Sequence, residues 1–241
     1  MVAYMILNIG LLLIVALCTW TGYRKGLIAG IAGILAVVIA LFGGSLLSSA
    51  YSREVVPVLE PFLDGYIDSQ NIRSEVLLAL NDGHPTELSL EDYLAENPSK
   101  RYDYAEECFK KLGIYQERAE EMARKTVDYD NRNGVGMTSA VVTQLCDTLS
   151  YVAGLVVAFL LILILLTAIG NLANLSFRLP NMELLDEIGG AMLGFVKGLM
   201  YCVLLCWALG FLGLVIGKDT LETTALAQFF LQIKFLTSGL L

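Results

Sequence analysis

Charge is scarce in this chain and histidine almost absent. Only 17% of the 241 residues are charged, whereas soluble domains carry nearer a quarter. Met1–Tyr23, Gly26–Ser52 and Thr148–Phe177 contain no Asp, Glu, Lys or Arg at all, which excludes an ordinary soluble fold. The single histidine, His84, sits in an Asp-Gly-His-Pro turn, the setting of a solvated loop residue and not of a base or a metal ligand. No G-x-S-x-G is present, and Gly134-Val135-Gly136 lacks the third glycine of a dinucleotide loop. Gly213–Lys218 reads G-x-x-x-G-K followed by Asp219. It misses both the spacing and the Ser/Thr of a phosphate-binding loop. Of the five cysteines, Cys18, Cys202 and Cys206 lie in apolar runs and read as small hydrophobes. Cys202 and Cys206 share a helix face with no histidine nearby in sequence, so a metal site is not expected. Cys108 and Cys146 lie in a polar region and could pair if it is outside the cytoplasm, although two cysteines are not a disulfide framework. With no nucleophile–base pair, metal cluster or phosphate cradle, the chain reads as non-enzymatic, with no catalytic residue, cofactor or metal, and with no nucleic-acid partner expected.

What the chain does have is apolar length. It is 56% hydrophobic with a mean hydropathy of +0.65, the composition of an all-α integral membrane protein with four transmembrane helices. Met1–Tyr23 has no basic start, so it reads as a retained first span, about 3–22, and not as a cleaved leader. The second span, about 27–50, follows almost at once, so the two form a tight hairpin. Arg24 and Lys25 in the connecting turn are the only basic pair near either end of the first span, which places that turn in the cytoplasm. The third and fourth spans, about 149–172 and 190–217, make a second hairpin. Both hairpins then run out-in-out as parallel repeats, within domains 1–51 and 148–217. The N- and C-termini are expected to be extracytoplasmic.

Between the hairpins, 52–147 carries 19 Asp and Glu against 10 Lys and Arg, a balance of −9 in a chain whose total is −8. This region reads as an acidic, extracytoplasmic helical module, because a structureless connection of that length would be improbable. Apolar residues from Val55 to Ile67 recur at helical spacing, with Pro57 and Pro61 expected to bend or interrupt the helix. Shorter amphipathic helices are expected at 76–80, ending at Asn81-Asp82-Gly83, and at 88–94, 105–112 and 115–127. Residues 128–136 read as a flexible connector. Asn171, Asn174 and Arg178 mark the far end of span three. Leu179-Pro180-Asn181 breaks the chain before Glu183, Asp186 and Glu187, which suit the first turns of the next helix. Lys218-Asp219-Thr220 ends span four. The segment 218–241 then carries an amphipathic helix with Ala225, Leu226, Phe229, Phe230 and Ile233 on one face, either lying on the membrane or docked on the outer module.

One pattern occurs twice. Gly22-Tyr23-Arg24-Lys25-Gly26 returns as Gly194-Phe195-Val196-Lys197-Gly198, each within a glycine ladder of four-residue spacing: Gly22, Gly26, Gly30 and Gly190, Gly194, Gly198. Such spacing puts the glycines on one helix stripe, where another helix can approach closely. The two copies should face one another near the cytoplasmic leaflet. Lys25 and Lys197 either snorkel to the headgroups and set depth, or pair with Asp186 or Glu187 as a lock or part of a polar path. Arg24, Lys25, Asp186, Glu187 and Lys197 are therefore the candidate functional polar residues.

The first copy, together with L-P-x-x-x-x-x-D-x-x-x-G-x-x-x-G-x-x-K-G through Pro180, Asp186, Gly190, Gly194, Lys197 and Gly198, resembles the colicin V production protein family of bacterial inner-membrane proteins. The resemblance covers the four spans. It implies a non-enzymatic accessory factor or scaffold in toxin (bacteriocin) production or export and in maintenance of the bacterial envelope. The 52–147 module departs from the short family form and is the expected docking point of an envelope or secretion protein. The lipid bilayer and a second copy in a homo-oligomer are the other expected partners. The alternative reading is a small membrane transporter or channel subunit, with a polar path between the repeats.

Overall fold

All described secondary structure is helical. The computed structural model describes residues 2–84, 88–172, 183–211, 221 and 224–233. Nine helices lie within them: α1 (Val2–Lys25), α2 (Leu27–Ser69), α3 (Ile72–Leu80), α4 (Leu90–Glu96), α5 (Lys100–Lys111), α6 (Gln116–Asn133), α7 (Met137–Leu172), α8 (Glu183–Phe211) and α9 (Ala225–Gln232). Pro85, Thr86, Asn174, Arg178, the Leu179-Pro180-Asn181 break and the Gly213–Thr220 stretch lie outside the described residues, as does the segment beyond Ile233.

Four helices, α1, α2, α7 and α8, are long and apolar enough to cross a membrane. Their surfaces agree with that reading. Only 6% of the apolar window of α1 is buried inside the chain, against 44% for α8. Leu12, Leu13, Leu17, Leu161 and Ile164 stand exposed, so α1 and α7 turn their side chains to lipid while α8 takes the inner position. The chain is a multi-pass membrane protein.

Two compact units divide the described residues. The first draws on Met1–Ser49, Ala153–Leu209 and Asp219–Leu241, the second on Ala50–Val152 and Gly210–Lys218. The boundaries fall inside α2, α7 and α8.

Within the first unit α1 and α8 run antiparallel. Gly190 faces Gly22 and Gly26, Gly194 faces Cys18 and Gly22, and Gly198 faces Val15 and Cys18. A Cβ on Gly194 would stand 2.4 Å from the carbonyl oxygen of Cys18, a contact with backbone that no rotamer change relieves. Leu11, Cys202 and Cys206 are buried here, and all three cysteines of this unit are free thiols. Helix α9 packs against α1. Its buried residues are Ala227, Phe230 and Leu231. Phe229 and Ala225, assigned to the same face from the sequence, are exposed. The packed face is the one that meets α1, and over eight residues a small rotation changes which side chains that includes.

The second unit is built around α5 and α6, with α3 against α5. Its centre holds Ile67, Leu94, Tyr104, Phe109, Ile114, Met122 and Leu145, each at most 2% exposed. Cys108 and Cys146 are both buried, free thiols, so the disulfide that the sequence left open is not formed. Burial pushes the Cys108 thiol up to about 12, well above its ordinary 9.0. Surface ion pairs link Lys111 to Glu75 at 2.5 Å and Arg73 to both Asp64 and Asp68.

Two local expectations are corrected. Helix α2 runs unbroken through Pro57 and Pro61. Each proline removes one backbone bond, and their four-residue spacing confines both losses to one side of a helix that the flanking bonds sustain. Helices α2 and α7 both continue across the expected domain limits at 51 and 147, and the unit boundaries fall close by, after Ser49 and Val152. The connector expected at 128–136 shrinks to three residues. Asn133-Gly134 is a helix end: Gly134 has φ +62° and its N–H donates to the Asp130 carbonyl at 2.7 Å, so α6 continues to Asn133.

Gly136, at φ +88°, starts α7. The carboxylate of Glu91 in α4 accepts from the N–H groups of Met137 at 3.2 Å and Thr138 at 2.9 Å and from the Thr138 hydroxyl. These are orphan donors of a new helix, and a carboxylate there also answers the helix dipole. Asp130, only 6% exposed, accepts from Gly136 N–H at 3.0 Å and pairs with Arg101 at 3.4 Å.

Candidate functional site

The link between α1 and α2 is one residue, Gly26. Its φ of +84° is a left-handed conformation open to glycine. The Gly26 N–H closes α1 on the Gly22 carbonyl at 3.0 Å, and the Gly26 carbonyl opens α2 by accepting from Gly30 at 3.0 Å. A turn this abrupt leaves the first N–H groups of a 43-residue helix without intrahelical partners. Asp186 of α8 meets them: its Oδ1 accepts from Leu27 N–H at 2.8 Å. The carboxylate is buried, at 2% exposure, and lies against the positive end of the helix, where a negative charge is favoured. Glu187, the next residue, accepts from the Tyr23 hydroxyl at 2.9 Å. Helix α8 therefore grips the link from both sides.

Space is closed as tightly as charge. A Cβ on Gly26 would lie 2.3 Å from Asp186 Oδ2, and one on Gly22 2.2 Å from the Gly190 carbonyl oxygen. Gly30 meets Leu193, whose Cβ would be 2.9 Å away. Six glycines named from the sequence thus lie along one seam, but the first ladder is not a stripe on one helix. Gly22 belongs to the last turn of α1, Gly26 is the link, and Gly30 belongs to α2. Nor are the repeated pentads equivalent. Gly194–Gly198 is helix interior in α8, and neither glycine has positive φ. Pentad one contains the turn; pentad two packs beside the helix that enters it.

Of the two readings of the lysines, pairing with Asp186 or Glu187 is not found among the described residues. Asp186 is engaged by a backbone donor and Glu187 by Tyr23; a helix start offers a fixed N–H, and a flexible lysine must lose side-chain freedom to compete with it. Lys25 and Lys197 instead border one cleft of about 100 Å³ with Thr21, Gly22, Gly30 and Gly194. The Lys197 ammonium lies 5.5 Å from the centre of the Tyr201 ring, within cation–π range. Arg24 is exposed and lies outside this cleft. No group of three His, Cys, Asp or Glu capable of holding a metal occurs among the described residues. What the sequence missed is the role of Asp186 as a cap on another helix. Its one signal was an acidic residue four positions before the glycine ladder of α8.

Residues 122–234 match the family model described as Colicin V production protein. The match covers a little under half of the chain, and it is to this stretch that the likeness applies. The match takes in the end of α6, α7, α8 and α9, hence Asp186, Gly190, Gly194, Lys197 and Gly198. It does not reach Gly22–Gly26, although the sequence pattern extended the resemblance over all four spans. The seam therefore joins the matched stretch, through α8, to α1 and α2, which precede it. No curated protein and no solved structure matches the chain.

Proposed function

We propose that the protein is a non-enzymatic membrane scaffold, an accessory factor in toxin production or export and in envelope maintenance. The observation that carries this reading is the Asp186 carboxylate on Leu27 N–H at 2.8 Å, set in a seam where backbone meets backbone at Gly22, Gly190 and Gly194. Such a seam holds helices in place, and no side chain could be added at these glycines without pushing α1 and α8 apart. The family domain supports the connection with colicin V production. The link carrying Arg24 and Lys25 faces the cytoplasm of an inner-membrane protein, the hairpins run out-in-out, and the acidic 52–147 module meets an envelope or secretion protein outside. The antiparallel packing of α1 and α8 accords with that topology.

Photo-crosslinking from module positions in living cells should capture a discrete envelope partner. Gly194→Leu, which forces α8 off the Cys18 carbonyl, should abolish that capture along with toxin export. Capture that persists when the seam is broken would separate the partner from the scaffold and sink the reading. Solute or ion flux through the parent protein in liposomes, abolished by Lys25→Ala and Lys197→Ala, would establish the transporter reading instead.

A further inference from the structure

Two lysines share the cleft beside the hairpin link, and among the described residues neither has a carboxylate within ion-pair reach. The acidic residues nearest on α8 are already engaged with Leu27 and Tyr23. Two like charges at one opening in an apolar setting are costly without a counter-charge. The cleft is walled by the backbone of Gly22, Gly30 and Gly194, and its roughly 100 Å³ is several times the ~10–15 Å³ that one water requires. It accommodates a phosphate group.

The same helices enclose a second space. A cavity of about 330 Å³ is lined by Ile14 of α1, Leu41 of α2, Phe159 of α7 and Tyr201, Leu205 and Ala208 of α8. Along every helix the two share, the cleft lies nearer the link and the cavity farther from it: 18–25 against 14 on α1, 29–33 against 41 on α2, and 194–197 against 201–208 on α8. From Lys197 to Leu205 the helical rise is about 12 Å. Tyr201 stands between them, its ring lining the cavity and facing the Lys197 ammonium at 5.5 Å. A cationic end, an aromatic collar and a hydrocarbon chamber in that order have the polarity of an amphiphile, and basic pockets between membrane helices suit acidic headgroups.

We infer that this unit holds an anionic phospholipid, its phosphate between Lys25 and Lys197 and an acyl chain in the cavity beyond Tyr201. The site goes beyond the scaffold reading and does not depend on it, because lipid capture and partner capture are measured separately.

The chain has two tryptophans, and Trp207 lines the cavity. Full-length protein carrying Trp20→Phe, reconstituted in phosphatidylcholine vesicles, makes Trp207 fluorescence the reporter. Phosphatidylglycerol with brominated acyl chains should quench it at a mole fraction about tenfold lower than brominated phosphatidylcholine, whose choline cation cancels the charge of its phosphate and meets the two lysines with like charge. Lys25→Gln with Lys197→Gln should erase that preference, while Lys25→Arg with Lys197→Arg should keep it. Inorganic phosphate should not displace the lipid. Equal quenching by the two lipids, or an unchanged preference in the glutamine variant, would overturn the inference. Loss in the arginine variant as well would assign the effect to disturbed packing and overturn it too. Displacement by inorganic phosphate would assign the cleft to a free anion and remove the acyl chain from it.

Discussion

Asp186 shows how much one side chain can decide. It is the buried acid of the membrane unit, and its bond to Leu27 N–H satisfies a helix start that Gly26 leaves bare. Asp186→Ala removes both the bond and the charge and should cost about 2–3 kcal/mol. Asp186→Asn keeps an acceptor and should cost roughly half as much. Unfolding of the two variants in detergent, followed by circular dichroism, separates the contributions; equal losses would assign the effect to charge, and no loss would remove the cap from the account. Cys108 offers a second residue-scale test. Its thiol titrates near 12 when folded and near 9.0 when exposed, so above 9 the unfolded chain loses a proton that the folded chain keeps. Its contribution is fully present below pH 9 and is lost as pH rises toward 12. Cys108→Ala should flatten that part of the stability profile, measured by denaturant unfolding between pH 8 and 11 as roughly the range accessible to the experiment. An unchanged slope would refute the assignment.

At the scale of the element, two long helices begin alike. Helix α2 starts after Gly26 at φ +84° under Asp186, and α7 starts after Gly136 at φ +88° under Glu91. In each, a left-handed glycine turns the chain sharply and a carboxylate from another helix closes the exposed donors. Glu91 is exposed where Asp186 is buried, so water competes for the same donors and the cap is worth less. Glu91→Ala should cost about 1 kcal/mol, with faster hydrogen exchange at Met137 and Thr138 as its local signature; unaltered exchange there would exclude the cap. Such caps are invisible along the chain, because 46 or 159 positions separate the acid from the helix it serves. The helices themselves were legible. Three uncharged runs and a fourth apolar stretch interrupted by Lys197 located the four apolar segments, and Asn81-Asp82-Gly83 stopped α3 as its turn chemistry requires. Their ends were less so, since α2 and α7 carry on past the apolar runs into amphipathic sequence whose period is also helical.

For the whole molecule, length exposes a division that hydropathy alone blurs. At 1.5 Å per residue α2 extends about 64 Å, twice a hydrocarbon core of about 30 Å, long enough to carry its polar half from Arg53 onward beyond a bilayer crossed by its apolar part. If the link is cytoplasmic, that half and the module with it lie on the far side. Single cysteines placed at exposed sites in 52–147, in a background freed of the five native ones, should react with an impermeant maleimide added to intact cells. Protection there, with labelling only after lysis, would invert the topology. Composition by itself determined that this is a helical membrane protein with an acidic module, because the bilayer accepts long uncharged helices and rejects charge wherever the chain places it. Periodicity also marked both glycine ladders. Only the tertiary structure decided what they do. The same five-residue pattern is a turn at Gly22–Gly26 and a helix interior at Gly194–Gly198, since local sequence permits both and the difference lies in which backbone each glycine must admit. Likewise, the partner of a buried carboxylate is set by the donor that packing leaves unsatisfied beside it, and that donor belongs to another helix.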